Sequence, residues 1–413
     1  MMHAALGIWI LSAVVCVGRS HHHLGHDEDA QDTAADGSMS SFSLVTSANK
    51  DFAFHLYRKL AAHASSQGKN IFYSPDSVSV ALAALSVGAR GETHQQLFSG
   101  LGFNSTQLRQ SDVNQAFRTL LQTANNTSPK DISEGVAVFV GETFKPEPEF
   151  LDTLKQSYFA EGFKVDFTNA AESAKTINSY VSEKTNGKID KLVDNLSEDT
   201  VMLLLSYIYY KGKWATPFDP EETVDGEFNV DENTKVPVKM MHKDARVDIY
   251  YDQPINTSVL HLPFNSSYSM LLLLPGDMAA LEAAIEPAHV TKWLRWKKPR
   301  QYEIYVPKFS IKSSYKLKGL LTEMGMTNMF GDRADLSGIS AGQKLVVSEV
   351  VHQATLDVDE VGATATGATG VIITLMSLRH TPVLKFDRPF MVMILDRTTE
   401  KILFMGKIIN PTI

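Results

Sequence analysis

The strongest constraint on this chain is an uncharged run from Val361 to Leu378, rich in Thr, Ala, Gly, Val and Ile. Glycine and threonine interrupt the run too often for a membrane helix, and it is far too long for a single core strand. A segment with high β-propensity, no charge and no proline is an aggregation hazard when exposed. We therefore expect the run to have a direct role in the mechanism of the protein.

Taken as a β-strand, the run places alternate side chains on opposite faces. One face begins with the small residues Ala363, Ala365 and Gly367 and ends with Val371 and Ile373. Small side chains fit between two existing strands, and the larger ones then fill a core. The pattern is typical of a segment that enters a sheet as an added strand.

The N-terminus predicts a secreted protein. Residues 4–18 are apolar and small residues lie nearby, which is typical of a signal peptide over 1–18, cleaved between 18 and 20. A short membrane anchor is the alternative, but the run falls short of the roughly 20 residues that span a bilayer. The only cysteine, Cys16, lies within the signal, so the mature chain has no disulfide. Packing must stabilise it, which favours one large domain.

Sequons of the form Asn-x-Ser/Thr predict N-glycosylation in the secretory pathway. They are Asn104, Asn125, Asn126, Asn195, Asn256 and Asn265. Asn125 and Asn126 overlap, so we do not expect both to carry a glycan. Together with the signal peptide, the sequons indicate an extracellular location.

Residues 19–44 are polar and low in aliphatic side chains, which predicts a disordered tail. A loose metal site at His21, His22, His23 and His26 is the less favoured interpretation of this tail. No other histidine has metal-ligand spacing, so neither a metal nor a cofactor is predicted. The net charge of -8 argues against nucleic acid as a partner.

Beyond the tail, the pattern indicates one α+β domain over residues 45–413. Helical spacing and capping signals predict helices early in the chain, whereas strand-like runs such as VMLLLSYIYY dominate the second half. No Pro-, Gly- or Ser-rich linker divides the domain. Helices first and strands later favour a large mixed or antiparallel sheet system.

One hydrolase motif is present. Gly338, Ser340 and Gly342 match G-x-S-x-G, the nucleophile elbow, which needs a strand before it and a helix after it. Here the motif follows polar residues and precedes the strand-like KLVVSEVV. We therefore expect neither a nucleophilic Ser340 nor an enzyme.

A basic segment, TKWLRWKKPR, contrasts with the acidic chain. Its cations are Lys292, Arg295, Lys297, Lys298 and Arg300. On a helix, Lys292 and Arg295 would share a face with residue 298 or 299. Such a patch binds sulfated polysaccharide by charge. The alternative is a solvated basic face with Trp293 packed beneath it.

Several further motifs occur in order. They are NIFYSPDSV (70–78), GARGETHQQL (88–97), YYKGKW (209–214), VPKFSI (306–311), ADLSGIS (334–340), FDRPF (386–390) and LFMGKIINPT (403–412). With these motifs, residues 45–413 resemble the serpins, most closely the antitrypsin and antichymotrypsin group. The resemblance implies three β-sheets, eight or nine helices and an exposed reactive-centre loop at about 360–382.

The resemblance also implies a function. A serpin of this group is a secreted, monomeric inhibitor that a serine protease of chymotrypsin-like fold attacks as a substrate. The cleaved loop then inserts into the central sheet and traps the protease as an acyl-enzyme. The hinge of the loop corresponds to Glu360, Gly362, Ala363, Thr364, Ala365, Thr366, Gly367 and Ala368. The hinge residues that follow Glu360 include no charged residue and no proline, which favours an active inhibitor.

The bait residue of this group lies sixteen positions after the hinge glutamate. The scissile bond is then Met376–Ser377. An unbranched Met suits elastase-like or chymotrypsin-like pockets. Leu375 is an alternative for a chymotrypsin-like protease, and Arg379 for a trypsin-like one.

The resemblance assigns Ser74, Ser77 and His352 to the shutter, the hydrogen-bonded region where the sheet opens. Ser206 replaces its asparagine, and a hydroxyl has fewer bonding groups than an amide, so a weaker or rearranged network is expected. Trp214 matches the tryptophan at the breach, where insertion begins. Simple core packing is the alternative for each residue.

Two further expectations follow from relatives. The basic segment resembles the heparin-binding helix of protein C inhibitor, which makes heparin or another glycosaminoglycan a candidate partner. Some relatives carry hormones, so a non-inhibitory carrier of a small hydrophobic ligand is the alternative function. The small hinge residues favour the inhibitor, and no membrane partner is expected.

Overall fold

The computed structural model describes residues 29–63, 66–127, 132–360 and 381–413. The predicted signal peptide lies outside these ranges. One compact unit spans Ser38–Ile413, and residues up to Gly37 group separately. Every described strand belongs to the larger unit.

Five strands form the first sheet. They are β2 (Ile132–Gly141), β3 (Glu161–Val165), β4 (Met202–Tyr210), β10 (Phe309–Lys316) and β11 (Glu349–Val358). Their order is β10-β11-β4-β2-β3, and β11 pairs parallel with β4 but antiparallel with β10. Every residue of β4 is buried, as expected of a mostly apolar strand at the centre of a covered sheet.

Nine strands form the second sheet. They are β1 (Ile71–Tyr73), β5 (Val224–Asn229), β6 (Lys235–Asp252), β7 (Thr257–Pro263), β8 (Tyr268–Pro275), β9 (Lys298–Pro307), β12 (Val383–Lys385), β13 (Phe390–Asp396) and β14 (Ile402–Ile408). The expected third sheet is continuous with the second in the described residues, because the 18-residue β6 belongs to three ladders. Its first part pairs with β5 and β9, and its last part with β7.

Nine α-helices occur in the described ranges. They are α1 (Asp29–Ala62), α2 (Pro75–Gly88), α3 (Gly91–Gly100), α4 (Gln110–Thr127), α5 (Pro148–Tyr158), α6 (Ala170–Lys184), α7 (Met278–Ala284), α8 (Pro287–Trp296) and α9 (Lys318–Glu323). The α+β class is confirmed. Helices α7 and α9 were not expected in the strand-rich half, because six or seven residues are too few to show a helical period.

The first helix begins earlier than the sequence indicates. α1 is helical from Asp29, which corrects the prediction of a disordered tail for residues 29–44. Residues 29–40 are mostly polar or alanine, so no apolar period marks them. Phe42 and Leu44 pack against the core, and Val45 is fully buried.

Helix α2 lies between the two sheets, in contact with β4 of the first and β14 of the second. Ser74 caps it by accepting the Ser77 N–H, and Pro75 follows in the first turn. Nearly all of its residues are buried, in keeping with a helix that is apolar all round. Both sheets therefore pack on one buried helix.

A buried ion pair ties α2 to the start of β14. The Lys401 ammonium lies 2.7 Å from Asp76 Oδ2, and both side chains are almost fully buried. Burial acts to lower the pKa of Lys401, but Asp76, together with Tyr268 and Glu134, outweighs burial and raises it. Each charge therefore depends on the other.

We expect Lys401→Met to lower the free energy of unfolding by about 3–5 kcal/mol, because Asp76 is left buried without its partner. Urea unfolding followed by circular dichroism measures the change. The control is Lys239→Met, which breaks the exposed pair with Asp225 and should cost less than about 1 kcal/mol. Equal effects of the two substitutions would contradict the special role of the buried pair.

Candidate functional site

The candidate site begins with two neighbouring strands of the first sheet. β4 and β11 run parallel over eight aligned pairs, from Leu203 beside Glu349 to Tyr210 beside Leu356. β11 ends at Val358, and residues 361–380 connect this end of the sheet to β12. The parallel pair thus adjoins the start of the long uncharged run.

Most of the predicted loop lies outside the described residues. This applies to the reactive bond Met376–Ser377, to its alternatives Leu375 and Arg379, and to the hinge residues Gly362, Ala363, Thr364, Ala365, Thr366, Gly367 and Ala368. Their roles stay predictions. Glu360, the first hinge residue, is described.

The four predicted shutter residues are hydrogen-bonded to one another. Ser206 on β4 lies beside His352 on β11, with 2.9 Å between its Oγ and the imidazole Nδ1. The same Oγ lies 2.7 Å from Ser77 Oγ on α2. The Ser74 N–H donates to His352 Nε2 at 3.0 Å. This network joins both parallel strands to the N-terminus of α2.

These hydrogen bonds assign the proton of His352. Nε2 accepts the Ser74 N–H, so the neutral ring carries its proton on Nδ1 and donates it to Ser206. The Ser206 hydroxyl also shares a hydrogen bond with the Ser77 hydroxyl, so one hydroxyl serves both neighbours. The ring is fully buried, and burial lowers the pKa of His352 to about 3. The imidazole is therefore neutral at physiological pH.

Glu360 is held on several sides at the N-terminal end of the loop. Its Oε2 lies 2.9 Å from the Lys308 ammonium, and its Oε1 accepts the Thr223 hydroxyl at 2.9 Å. Its C=O accepts the Phe218 N–H at 3.0 Å. Burial acts to raise the pKa of Glu360, but the hydrogen bonds from Lys308, from its own backbone and from Thr223 together outweigh burial and lower it. The carboxylate is therefore charged and anchored.

Trp214 fixes the backbone at the same place. Its Nε1–H donates to the C=O of Asp359 at 2.8 Å. The buried ring stacks on Phe264 with 4.6 Å between the ring centroids. The end of β11 is thus tied to an aromatic cluster outside the first sheet.

The comparisons with known proteins bear on this arrangement. The profile of the family described as "Serpin (serine protease inhibitor)" matches residues 47–411. The chain belongs to the serpin family. Its relatives include alpha-1-antiproteinase of Rattus norvegicus, 39% identical over 409 residues with 98% of each chain covered. Serpin A3-5 of Bos taurus is 41% identical over 372 residues, 89% of each chain.

A solved structure extends the likeness to the fold. Human thyroxine-binding globulin superposes on this serpin with a TM-score of 0.84 at 36% identity, covering 90% of this chain and 100% of that one. The serpin fold expected from the motifs is confirmed. The family is one of protease inhibitors, and this serpin is not an enzyme.

The hydrolase motif of this serpin lies in a setting unsuited to catalysis. Ser340 is buried, and its hydroxyl accepts the Lys145 N–H at 3.3 Å. The motif lies among turns and not between a strand and a helix. Ser340 therefore has a structural role.

The basic segment is divided between two elements. α8 ends at Trp296, whereas Lys298 and Arg300 lie on β9. The prediction that Lys298 shares a helix face with Lys292 and Arg295 is therefore wrong, because the helix ends too early.

Two cations of this segment are neutralised within the molecule. Lys292 lies 2.8 Å from Oδ1 of the fully buried Asp252, and Lys297 lies 2.8 Å from Asp248 Oδ2. The other cations are exposed: Arg295, Lys298 and Arg300. Only these three present their charge to a polyanion without breaking an internal pair seen in the described structure.

The described sequon side chains are exposed: Asn104, Asn195, Asn256 and Asn265. Asn125 and Asn126 lie in the last turn of α4, and their side chains are outside the described part. Within the described ranges, no helix is long and apolar enough to cross a membrane. The same ranges hold no His, Cys, Asp and Glu cluster suited to a metal ion.

Sequence reasoning missed the partners that hold the candidate residues. Lys308 and Thr223 lie 52 and 137 positions from Glu360, and Asp252 lies 40 positions from Lys292. No spacing pattern links residues so far apart. Only the folded chain brings these partners together.

His352 should make this serpin less stable as pH falls. Its folded pKa, about 3, is below the unfolded value of 6.5, so only the unfolded chain takes up a proton between these values. Stability present above pH 6.5 is therefore lost as pH falls, at up to about 1.4 kcal/mol per pH unit.

Urea unfolding at several pH values between about 7 and 5 tests this expectation. His352→Gln should reduce the slope of unfolding free energy against pH by one proton. His261, whose pKa is lowered to about 4 by burial and Lys297, stays in the variant and keeps its own contribution. Identical slopes in wild type and variant would contradict the assignment.

Proposed function

We propose that this serpin is a secreted, glycosylated, monomeric inhibitor of an elastase-like or chymotrypsin-like serine protease, acting once per molecule. The observation that carries the proposal is the parallel pair of β4 and β11 beside the start of the uncharged run. The protease would attack the Met376 carbonyl, and the amine of Ser377 would leave. The product is an ester between Met376 and the protease serine.

The topology suits insertion of the cleaved loop. A chain that leaves β11 and turns back must run antiparallel to β11, and therefore antiparallel to β4 as well. One added strand would thus replace a parallel ladder by two antiparallel ladders, which are more stable per residue. Strand addition of this kind is an established mode of the family.

Insertion requires the shutter to open. β4 and β11 are neighbours, and a strand between them needs about 4.8 Å of further separation. The 2.9 Å contact between Ser206 Oγ and His352 Nδ1 must then break. Loop transfer also displaces the protease before water hydrolyses the ester. Loss of a single oxyanion donor slows such a reaction by about 10²–10³.

Other features support the remaining parts of the proposal. The apolar segment 4–18 and the exposed sequon asparagines fit a secreted glycoprotein. The likeness to thyroxine-binding globulin favours a second candidate, a non-inhibitory carrier of a small hydrophobic ligand. Protease trapping separates the two candidates.

The decisive experiment mixes the protein with neutrophil elastase, chymotrypsin and trypsin, followed by a denaturing gel and sequencing of the released peptide. We expect a complex that survives boiling and a peptide beginning SLRHTP. A peptide beginning HTPVLK would move the bait to Arg379.

The matched control is Ala365→Pro, which leaves the bait intact. Proline lacks the N–H that an inserted strand must donate, so this variant should be cleaved without forming a complex. If the wild type were also cleaved without a complex, the inhibitor proposal would fail and the carrier would be favoured.

We further propose that the basic segment binds heparin or a related glycosaminoglycan. Lys298 and Arg300 border an open cleft of about 520 Å³ whose walls include Tyr251 and Trp296, each 56% exposed. Cations beside aromatic faces suit a sulfated sugar chain. Binding by charge should weaken as salt rises.

Heparin chromatography tests the partner. Lys298→Ala combined with Arg300→Ala should elute at clearly lower salt than wild type, because both exposed cations are lost. The control, Lys297→Ala, removes a charge already neutralised by Asp248 and should shift elution less. If all three proteins eluted at the same salt concentration, this surface would be excluded as the heparin-binding site.

A further inference from the structure

The C-terminal end of the loop is anchored on β9. The C=O of Pro382 accepts the Glu303 N–H at 3.0 Å, and β12 then pairs parallel with β9, with Val383 beside Glu303. The carboxylate of the same Glu303 accepts the Tyr305 hydroxyl at 2.5 Å. Glu303 therefore holds this anchor through its backbone, while its carboxylate bonds Tyr305 of the same strand.

His242 on β6 lies between this anchor and the one at Glu360. Its Nε2 is 3.2 Å from Glu303 Oε1, and its Nδ1 is 3.4 Å from Glu222 Oε2. The ring stacks on Tyr305 with 4.7 Å between centroids. Glu222 immediately precedes Thr223, whose hydroxyl donates to Glu360. A continuous chain of contacts thus runs from one end of the loop to the other.

The charge of the imidazole determines how strongly these contacts link the two ends of the loop. A neutral ring has one N–H and can donate to one carboxylate only, so the other carboxylate faces a lone pair. A protonated ring donates on both sides. The Nε2 contact is close but is not an aligned hydrogen bond, and Glu303 Oε1 also accepts the Tyr305 hydroxyl. A full positive charge would stabilise both contacts without ideal alignment.

The titratable groups in contact with this ring are Glu222, from the turn before β5, and Glu303 and Tyr305 on β9. The nearby cations are Lys385 of β12, which lies over the Tyr305 ring, and Lys243, which follows His242 on β6 and interacts with Glu222. Lys385 lies 3.9 Å from Asp387, and the Lys243 ammonium donates to the Thr216 C=O at 2.5 Å. Both cations have other partners, and the charged groups in contact with the imidazole nitrogens are the two carboxylates.

We propose that His242 is a positioning residue that links the two anchors of the reactive loop when its imidazole is protonated, so that mild acidity slows the transfer of the loop into the five-stranded sheet. The inference rests on the proposed function only in taking residues 361–380 as the reactive loop. Both anchors are described residues, and loop transfer on heating needs no protease.

The experiment heats the full-length glycosylated protein at about pH 6 and about pH 7.5 and follows on native gels the loss of the native monomer band, whether into a loop-inserted monomer or into polymers. The quantity compared is the half-time of monomer loss at about pH 6 divided by the half-time at about pH 7.5. This ratio cancels pH effects that all variants share. His242→Gln should lower this ratio about two- to fivefold, the range for partly exposed ion pairs. Glu222→Gln, which keeps the imidazole, should lower it similarly.

Two further variants complete the test. His242→Arg carries a permanent charge and should give slow loss of monomer at both pH values. His55→Gln removes an exposed imidazole of α1 that faces the cations Lys59 and Arg58, and should leave the ratio unchanged.

An unchanged ratio in both His242→Gln and Glu222→Gln would overturn the inference, as would a lowered ratio in His55→Gln. Complex formation with the protease is scored separately. If the wild type forms the complex but the variants leave the ratio unchanged, the inhibitor proposal is supported and the role of His242 is refuted. If the variants lower the ratio but the wild type forms no complex, the role of His242 is supported and the inhibitor proposal is refuted.

Discussion

One buried imidazole holds the two strands on which the proposed mechanism depends. His352 bonds Ser206 across the parallel pair and accepts the Ser74 N–H from the start of α2. Helix α2 packs on both sheets, and Asp76 in its first turn pairs with Lys401 at the start of β14. The position of the shutter is therefore set by both sheets at once, through a helix that has little freedom to move.

Under the proposed mechanism, the closed state is kept by a kinetic barrier and not by a lower free energy. A net protein hydrogen bond contributes about 0.5–1.5 kcal/mol, and only a few such bonds hold the shutter and Glu360. Burial of Val371 and Ile373 alone would contribute about 1.5–3 kcal/mol for each side chain, besides two new ladders. If the loop inserts as proposed, the inserted state is the more stable one. The polar contacts then control the rate of insertion.

Local signals in the sequence predicted much of the fold and only part of the site. Apolar periodicity and the Ser74–Pro75 cap identified α2 and the central strands, because these elements depend on neighbouring residues. α7 and α9 were too short to show a period. The shutter residues came from family motifs, whereas Lys308, Asp252 and Glu222 gave no signal. Their importance comes from contacts between distant parts of the chain.

The long strand β6 also restricts how the chain can vary in length. Its buried positions are even-numbered at Val238 and Met240 but odd-numbered at Val247 and Ile249, so the inward side changes along one unbroken strand. Removing one residue between Met241 and Val247 would turn Ile249 toward solvent and Tyr250 toward the core. Either the ladder with β7 or the ladder with β5 would then lose its register. Insertions and deletions should therefore be tolerated in the turns that flank β6 and excluded from its interior.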